Sequence, residues 1–474
     1  MRLTKPGRLL TIGAAFAFVA SACAGQGVSP APSTAPPEVP SAGGSPLPSA
    51  AGFDWMAHKG EEITFLANEH PWTDGMKPLI DQFTQETGIK VNLQPFSEDL
   101  YFDKMEQVLR GSEGAADVYF LPMDSTAFSQ FNAGLIEPLD GYLGDPTKTA
   151  ADYDLADFPQ GFLDPGTYPP GDAAAKLYGI PISFESYILF SNKDLVDKYL
   201  GGVMPKTFEE LIAAAEKINK EGAADGVAGA VMRGIRSDTI MDTFSGPVFD
   251  AWGAKAAPGP YGLWFDGGWD KPRLTDPAVC AGMTNYAKLL AAGPANKFAI
   301  DWPDANTIFS QGKAAFFIDA SLFGPSYEDP AVSQVAGKVG YSALPPASGD
   351  GTSYTGHWLW GLGIPANAKN KDAAWYFTQW MTNKANTAKI GATTGGAPRL
   401  SSYSDPAYTD ALVPEYVSAV NEAMKTSRTT VVFKDGWKDG ALAIVDGMLA
   451  IANGEDPTAA CAKANEALLK AVNP

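Results

Sequence analysis

The chain has 474 residues, about three times a typical single-domain length, so two packed domains are the starting expectation. Hydrophobic residues make up 45% and charged residues 19%, an ordinary globular balance with ample material for a core. Lys and Arg number 35 against 54 Asp and Glu, a net charge of −19 that argues against the basic footprint of a nucleic-acid binder. The three histidines, His58, His70 and His357, are too scattered for a His-rich metal centre, and no cofactor is expected.

Residues 1–22 read as an export signal. Arg2, Lys5 and Arg8 form a positive start, and the apolar run 9–22 is shorter than the ~20 residues that span a bilayer. The run ends in Ala20-Ser21-Ala22-Cys23, which resembles the lipobox of bacterial lipoproteins, with Ala20 in place of the usual leucine. That resemblance implies a lipid on Cys23 and anchoring to the outer face of the cell membrane. Plain secretion with a coincidental cysteine is the alternative. Of the 29 residues 24–52, 23 are Pro, Gly, Ser or Ala, and Glu38 is the only charge. Such a segment buries too little apolar surface to order itself, so 23–58 is expected to be a disordered tether with a reach of about 30 Å.

From residue 61 the periodicity is clear. A strand is predicted over 62–67, then a helix over 74–87 with Met76, Leu79, Ile80 and Phe83 on one face and Gly88 as its stop. Ile89, Val91 and Leu93 alternate as a second strand. A helix covers 98–110, with Met105, Val108 and Leu109 inward, and 116–121 is a third, buried strand. This order implies an α/β fold with a parallel, doubly wound sheet. Ligands of such sheets sit outside the carboxyl ends of the strands, which singles out Asn68, Glu69 and His70, and Met123 and Asp124. Each is equally readable as an exposed loop polar.

A second α/β unit begins near Tyr178, where the apolar run 180–190 has one charged interruption, Glu185. Thr207 and Glu210 form a capping box ahead of an amphipathic helix, and 228–232 is a strand leading to Arg233. Strands are predicted over 312–318 and 358–365, and helices over 371–382, 439–450 and 458–472. Cys280 and Cys461 fall in helical stretches. Outside the cytosol they can pair, but sequence alone does not bring their Cα atoms within the roughly 4.4–6.8 Å required.

At this point several segments become recognisable: 65–72, "ADVYFLPMD", "LYGIPISFESYILFSNKDL", "PKTFEEL", "FSQGKAAFFIDA" and "DAAWYFTQWM". In order and spacing, over about 62–425, they resemble the extracytoplasmic solute-binding proteins of ABC importers, in the carbohydrate-binding family that includes maltose-binding proteins. "FES" at 184–186, "MRG" at 232–234, "WFD" at 264–266, "FIDA" at 317–320, "WLWGLGIP" at 358–365 and "SSYSDPAY" at 401–408 are similar to its sugar-alcohol branch (sorbitol, mannitol, xylitol). Glu69-His70 stand where that branch carries Asn-Asn, Asp124 where it carries Glu, and "GAPRL" at 396–400 is a reduced PPGTR-like stretch. These departures leave the particular ligand open. The resemblance implies two lobes, 59–180 with 302–362 and 181–301 with 363–474, closing on a ligand in the cleft between them. It further implies a monomer that delivers its ligand to a membrane permease.

A sugar or polyol offers hydroxyls to carboxylates and Arg, and a C–H face to aromatic rings. Glu185 is the leading candidate, because a carboxylate inside an apolar strand is costly unless something satisfies it. Asp319 interrupts "AAFFIDASLF" in the same way, and a structural salt bridge is the alternative for both. Arg233 ends a strand beside Gly234. Trp358 and Trp360 alternate on one strand and so face one side, with Trp358 favoured as a ligand platform. Trp252, Trp302 and Arg399 are weaker candidates, and Trp375 and Trp380 read as core. No nucleophile elbow, phosphate loop or His-Glu-x-x-His motif occurs, so no enzyme is expected. The rivals are a binder of an oligosaccharide or glycerophosphodiester and, using paired acids such as Asp124 and Glu185, a secreted hydrolase.

Overall fold

The computed structural model describes residues 52–111, 114–253, 261–347, 350–430, 432, 434 and 436–473. The signal segment, Cys23 and most of the expected tether lie outside the described residues. The tether boundary at 58 moves back, because Phe53 is buried and stacks on Tyr376 at 5.3 Å, with Trp55 edge-on to the same ring at 5.8 Å.

The first segment supplies β1 (Glu62–Asn68), β2 (Lys90–Phe96) and β3 (Val118–Pro122). A short ribbon, β4 (Thr167–Tyr168) and β5 (Lys176–Leu177), precedes the 13-residue β6 (Ile180–Asn192). Then come β7 (Ala228–Val231), β8 (Ala314–Ala320), β9 (Val339–Ser342), β10 (Thr355–Gly363) and β11 (Ser427–Thr429). The expected helix over 74–87 is divided into Pro71–Met76, a turn Lys77–Leu79 and Ile80–Thr87. Pro78 has no N–H to continue an i→i−4 ladder. Gly88, at φ 71°, takes the left-handed turn that ends the helix.

Strand order is β2-β1-β3-β10-β6-β8-β7, with β11 on β10 and β9 on β6. β1 runs parallel to β2 and β3, as the strand–helix alternation requires, and β7 is parallel to β8. β10 is antiparallel to β3 and β6, and β6 is antiparallel to β8 and β9. The α/β architecture is therefore as expected, but the sheet is mixed rather than parallel throughout. Two segments also depart from the expected lobes. β8, placed with 302–362 in the first lobe, is hydrogen-bonded between β6 and β7. The helix Lys371–Met381, placed in the second, lays Phe377 on Phe65 of β1 and on Phe83, at 5.4 and 5.3 Å. Ladders and ring contacts, not chain order, decide which sheet each segment joins.

Every residue of β6 is buried. Trp375 and Trp380 are core, as predicted, and each indole N–H finds an acceptor: Thr149 Oγ1 at 3.0 Å and Glu86 Oε2 at 2.8 Å. Cys280 and Cys461 form a disulfide with Cα atoms 6.0 Å apart, joining the helices Pro277–Ala291 and Pro457–Val472. Among the described residues, no helix is long and apolar enough to cross a membrane.

Candidate functional site

The register of β6 against β10 sets Trp358 opposite Glu185 and Trp360 opposite Ser183. Directly opposed residues share a face, so two indoles, a carboxylate and a hydroxyl meet on one side. The indole rings are 5.9 Å apart at 65°, and Trp358 is the one residue of β10 that is not buried. Glu185 is 8% exposed. His70 caps the helix Pro71–Met76: its Nδ1 accepts the Trp72 N–H at 3.1 Å. That assigns the ring proton to Nε2, which donates to Glu185 Oε1 at 3.2 Å. The His70 ring also lies 5.3 Å from Phe120 and 5.9 Å from Trp360.

On the other side, Arg233 follows β7 and is 5% exposed. Its Nε and Nη2 donate to Asp319 Oδ2 and Oδ1 at 2.9 and 2.5 Å, a two-pronged pair. Nη1 donates to Thr239 O at 3.0 Å and to Asp242 Oδ2 at 3.3 Å. Burial opposes the Arg233 charge, but Asp319 and Asp242 outweigh it and hold the guanidinium pKa well above its ordinary value. Asp319 also accepts the Ala320 N–H and is 0% exposed. It is the counter-ion that aims Arg233, not the hydroxyl acceptor expected from sequence.

Asp242, 3.3 Å from Arg233, is a candidate site residue that sequence reasoning missed. Burial pushes its carboxyl well above the ordinary range; Arg233 opposes this, and Glu185, Asp319 and Asp124 add to it. Its Oδ2 accepts from Arg233 Nη1, which places a second carboxyl beside the guanidinium. Its one signal was an acid in the first turn of the apolar helix Ile240–Trp252. Trp302 falls close to the same group. Thr239 Oγ1 donates to Asp301 Oδ1 at 3.4 Å, and the neighbouring Trp302, partly exposed, stacks on Phe323 at 6.0 Å.

The remaining candidates are placed otherwise. Both oxygens of Asp124 are occupied, by the Leu359 N–H at 2.7 Å and by the Thr429 hydroxyl. Glu69 is exposed, and its N–H donates to Phe96 O. Trp252 ends the helix that Asp242 begins, about 15 Å further along its axis at 1.5 Å per residue, with Arg273 over its ring. Arg399 is a correction: it is 0% exposed and donates to the carbonyls of Thr382, Asp154 and Tyr153 and to Asp157. Phe158 covers its guanidinium at 4.1 Å. It clamps the loop 153–158 and has no path to a ligand. Among the described residues, no cluster is arranged to hold a metal. A cavity of about 460 Å³ lined by Arg236, Asp446 and Lys463 lies apart from all of these groups.

Fold and site together describe a receptor for a small polar molecule, and comparison with known proteins gives its class. Residues 69–388 match the bacterial extracellular solute-binding proteins, and the chain belongs to that family. The family's role is to bind a solute outside the cytoplasm, not to transform it. The chain's relatives include the erythritol/L-threitol-binding protein of Mycolicibacterium smegmatis, 28% identical over 363 residues, covering 75% of this chain and 72% of that one. The mannitol-binding protein of Pseudomonas aeruginosa is 28% identical over 257 residues, 53% of each chain. An ABC transporter solute-binding protein of Agrobacterium radiobacter K84, solved with ribitol, shares the fold at a TM-score of 0.71 and 22% identity, over 88% of this chain and 99% of that one.

Proposed function

We propose that the chain captures a small sugar alcohol or sugar against the Trp358–Glu185 face and hands it to a membrane permease. The observation that carries this is the pairing of a partly exposed indole with a buried carboxylate across β6 and β10. An indole covers the C–H face of a polyol, and the Glu185 carboxyl oxygens accept its hydroxyls. Arg233 supplies a donor through the Nη2 proton that its bonds to Asp319, Thr239 and Asp242 leave over. Ser183 Oγ and Asn68 Oδ1 are buried without a hydrogen-bond partner among the described residues, a lack that ligand hydroxyls would remedy. The names of the relatives support the same ligand class. We also propose that the protein works as a monomer held at the membrane by lipid on Cys23. Cys23→Ala should then release it into the medium, and unchanged membrane retention would remove the anchor.

A thermal-shift panel tests the ligand class, with erythritol, threitol, ribitol and mannitol set against maltose and glycerophosphocholine. A ligand at 100 times its Kd adds about 2.7 kcal/mol to stability. A polyol should raise Tm and be recovered chemically unchanged. A response to maltose or glycerophosphocholine alone would replace this reading.

A further inference from the structure

Asp124 follows β3 where the ladder to β10 runs out: the last pair is Trp360 with Pro122. One step on, its side chain takes the place of a main-chain carbonyl. Oδ2 accepts the N–H of Leu359 at 2.7 Å, and the Met123 N–H donates to Leu359 O at 3.2 Å. Leu359 is the residue between the two tryptophans. Oδ1 accepts the hydroxyl of Thr429, which pairs with His357 in the parallel β10–β11 ladder. One buried carboxyl thus bridges β3, β10 and β11.

We infer that Asp124 is a positioning residue, which sets the Trp358–Trp360 platform by holding three strands together and does not itself touch the ligand. The inference rests on reading the tryptophan pair as the ligand's platform. Removing the carboxyl leaves the Leu359 N–H a buried donor without an acceptor, and at the point that carries the rings β10 loses the side-chain tie to β11 and keeps only the Met123 N–H bond to β3.

The same carboxyl changes charge near neutrality. Burial raises Asp124 to about 7; the bonds from Thr429 and Leu359 oppose the rise, and Glu185 on β6 adds to it. Asp242, on the helix Ile240–Trp252, and Tyr168, on β4, also feel its charge. The protonated form keeps both contacts, since its carbonyl oxygen accepts from Leu359 and its O–H donates to Thr429 Oγ1. Ionisation reverses the Thr429 bond, so that the hydroxyl donates to Oδ1, and sets a negative charge near the Glu185 carboxyl. The platform therefore responds to pH through Asp124.

The test compares Asp124→Ala, Asp124→Asn and Thr429→Val, with ribitol and erythritol as calorimetric probes and near-ultraviolet circular dichroism of the ligand-free protein from pH 5.5 to 8.5. Asp124→Ala should weaken binding about tenfold or more. Asp124→Asn, whose amide reproduces the hydrogen bonds of the protonated acid, should restore most of that loss, and Thr429→Val should fall between the two. The ligand-free wild-type spectrum should change with a midpoint near 7. Asp124→Asn should abolish that change, while Asp250→Asn, at a second buried acid raised to about 7, should leave it in place. If Asp124→Asn binds as poorly as Asp124→Ala, the carboxylate touches the ligand and the inference is wrong. A wild-type spectral transition persisting in Asp124→Asn would also overturn it. Because the spectra need no ligand, they decide the point even if neither polyol binds.

Discussion

Around Glu185 the β3–β10 side is aromatic and neutral. Phe120 lies 5.0 Å from Trp360, and Trp360 lies 5.9 Å from both Trp358 and His70. The β7–β8 side is ionic, with Arg233 held by Asp319 at 2.5 Å and by Asp242 at 3.3 Å. The difference lies in how each side fails. Removing a ring forfeits contact area, whereas removing one member of a buried ion pair leaves its partner charged and unsolvated. The neutral side supplies shape and the ionic side direction, and Glu185 joins them through His70.

The sharpest test of that contrast is Asp319→Ala, which strands Arg233. It should cost about 3–5 kcal/mol in urea unfolding, and replacing both partners by well-packed apolar residues should recover much of the loss. A double replacement as damaging as the single one would break the distinction. The disulfide offers a reference that contributes no side chain to either side of the site. It closes 181 residues of chain, so Cys280→Ser with Cys461→Ser should lose about 2–4 kcal/mol of stability while ligand affinity stays unchanged. A fall in affinity would show that the disulfide acts on the site through Tyr286, on one of the helices it joins, whose hydroxyl donates to Arg233 O at 2.8 Å.

At the junction of the two sides, Glu185→Ala should weaken binding by about 1–3 kcal/mol, roughly tenfold or more. Trp358→Ala should lose a comparable amount through its stacking. Full affinity in both, measured by calorimetry on folded protein, would put the ligand elsewhere. The smallest effect is on stability against pH. Asp124 and Asp250 are both raised to about 7 by burial, so the folded state keeps protons that the unfolded chain releases above about 4. Stability must then fall as pH rises from about 4 to 7 and level off above 7. Tm should be lower at pH 8 than at pH 5 by about 2 °C or more. Asp124→Asn and Asp250→Asn should each remove part of that slope, and a Tm that rises over this range would refute the assignment.

Much of this arrangement was legible in the sequence, and the misses share a cause. Periodicity marks β1 to β3, β6 and the helices, because burial on one face leaves its trace residue by residue. Glu185 stood out as a carboxylate in an apolar strand, and Trp358 shared a face with Trp360 by strand alternation alone. The same signature misled at Asp319, since a ligand acceptor and a counter-ion interrupt an apolar strand identically. Arg399 follows a turn, and nothing local reveals the three carbonyls that surround it. Asp242 passed as an ordinary acid in a helix's first turn. The antiparallel placement of β10 and the pairing of Cys280 with Cys461 join segments far apart in the chain, which no local pattern records.

β6 changes partners in mid-course. Residues up to Ser186 bond to β10, and those from Tyr187 onward bond to β8 and β9. No ladder spans the change. The Ser186 N–H goes instead to a side chain, Ser321 Oγ at 3.2 Å. Turning one sheet about the 186–187 junction would leave both ladders intact and load two side-chain bonds, that one and the bond from Thr355 Oγ1 to Tyr187 O at 2.7 Å. Such a joint needs no glycine, and IPISFESYILFSN contains none. Its stiffness would be set by how the strand is clamped on either side, and the strand is buried along its whole length.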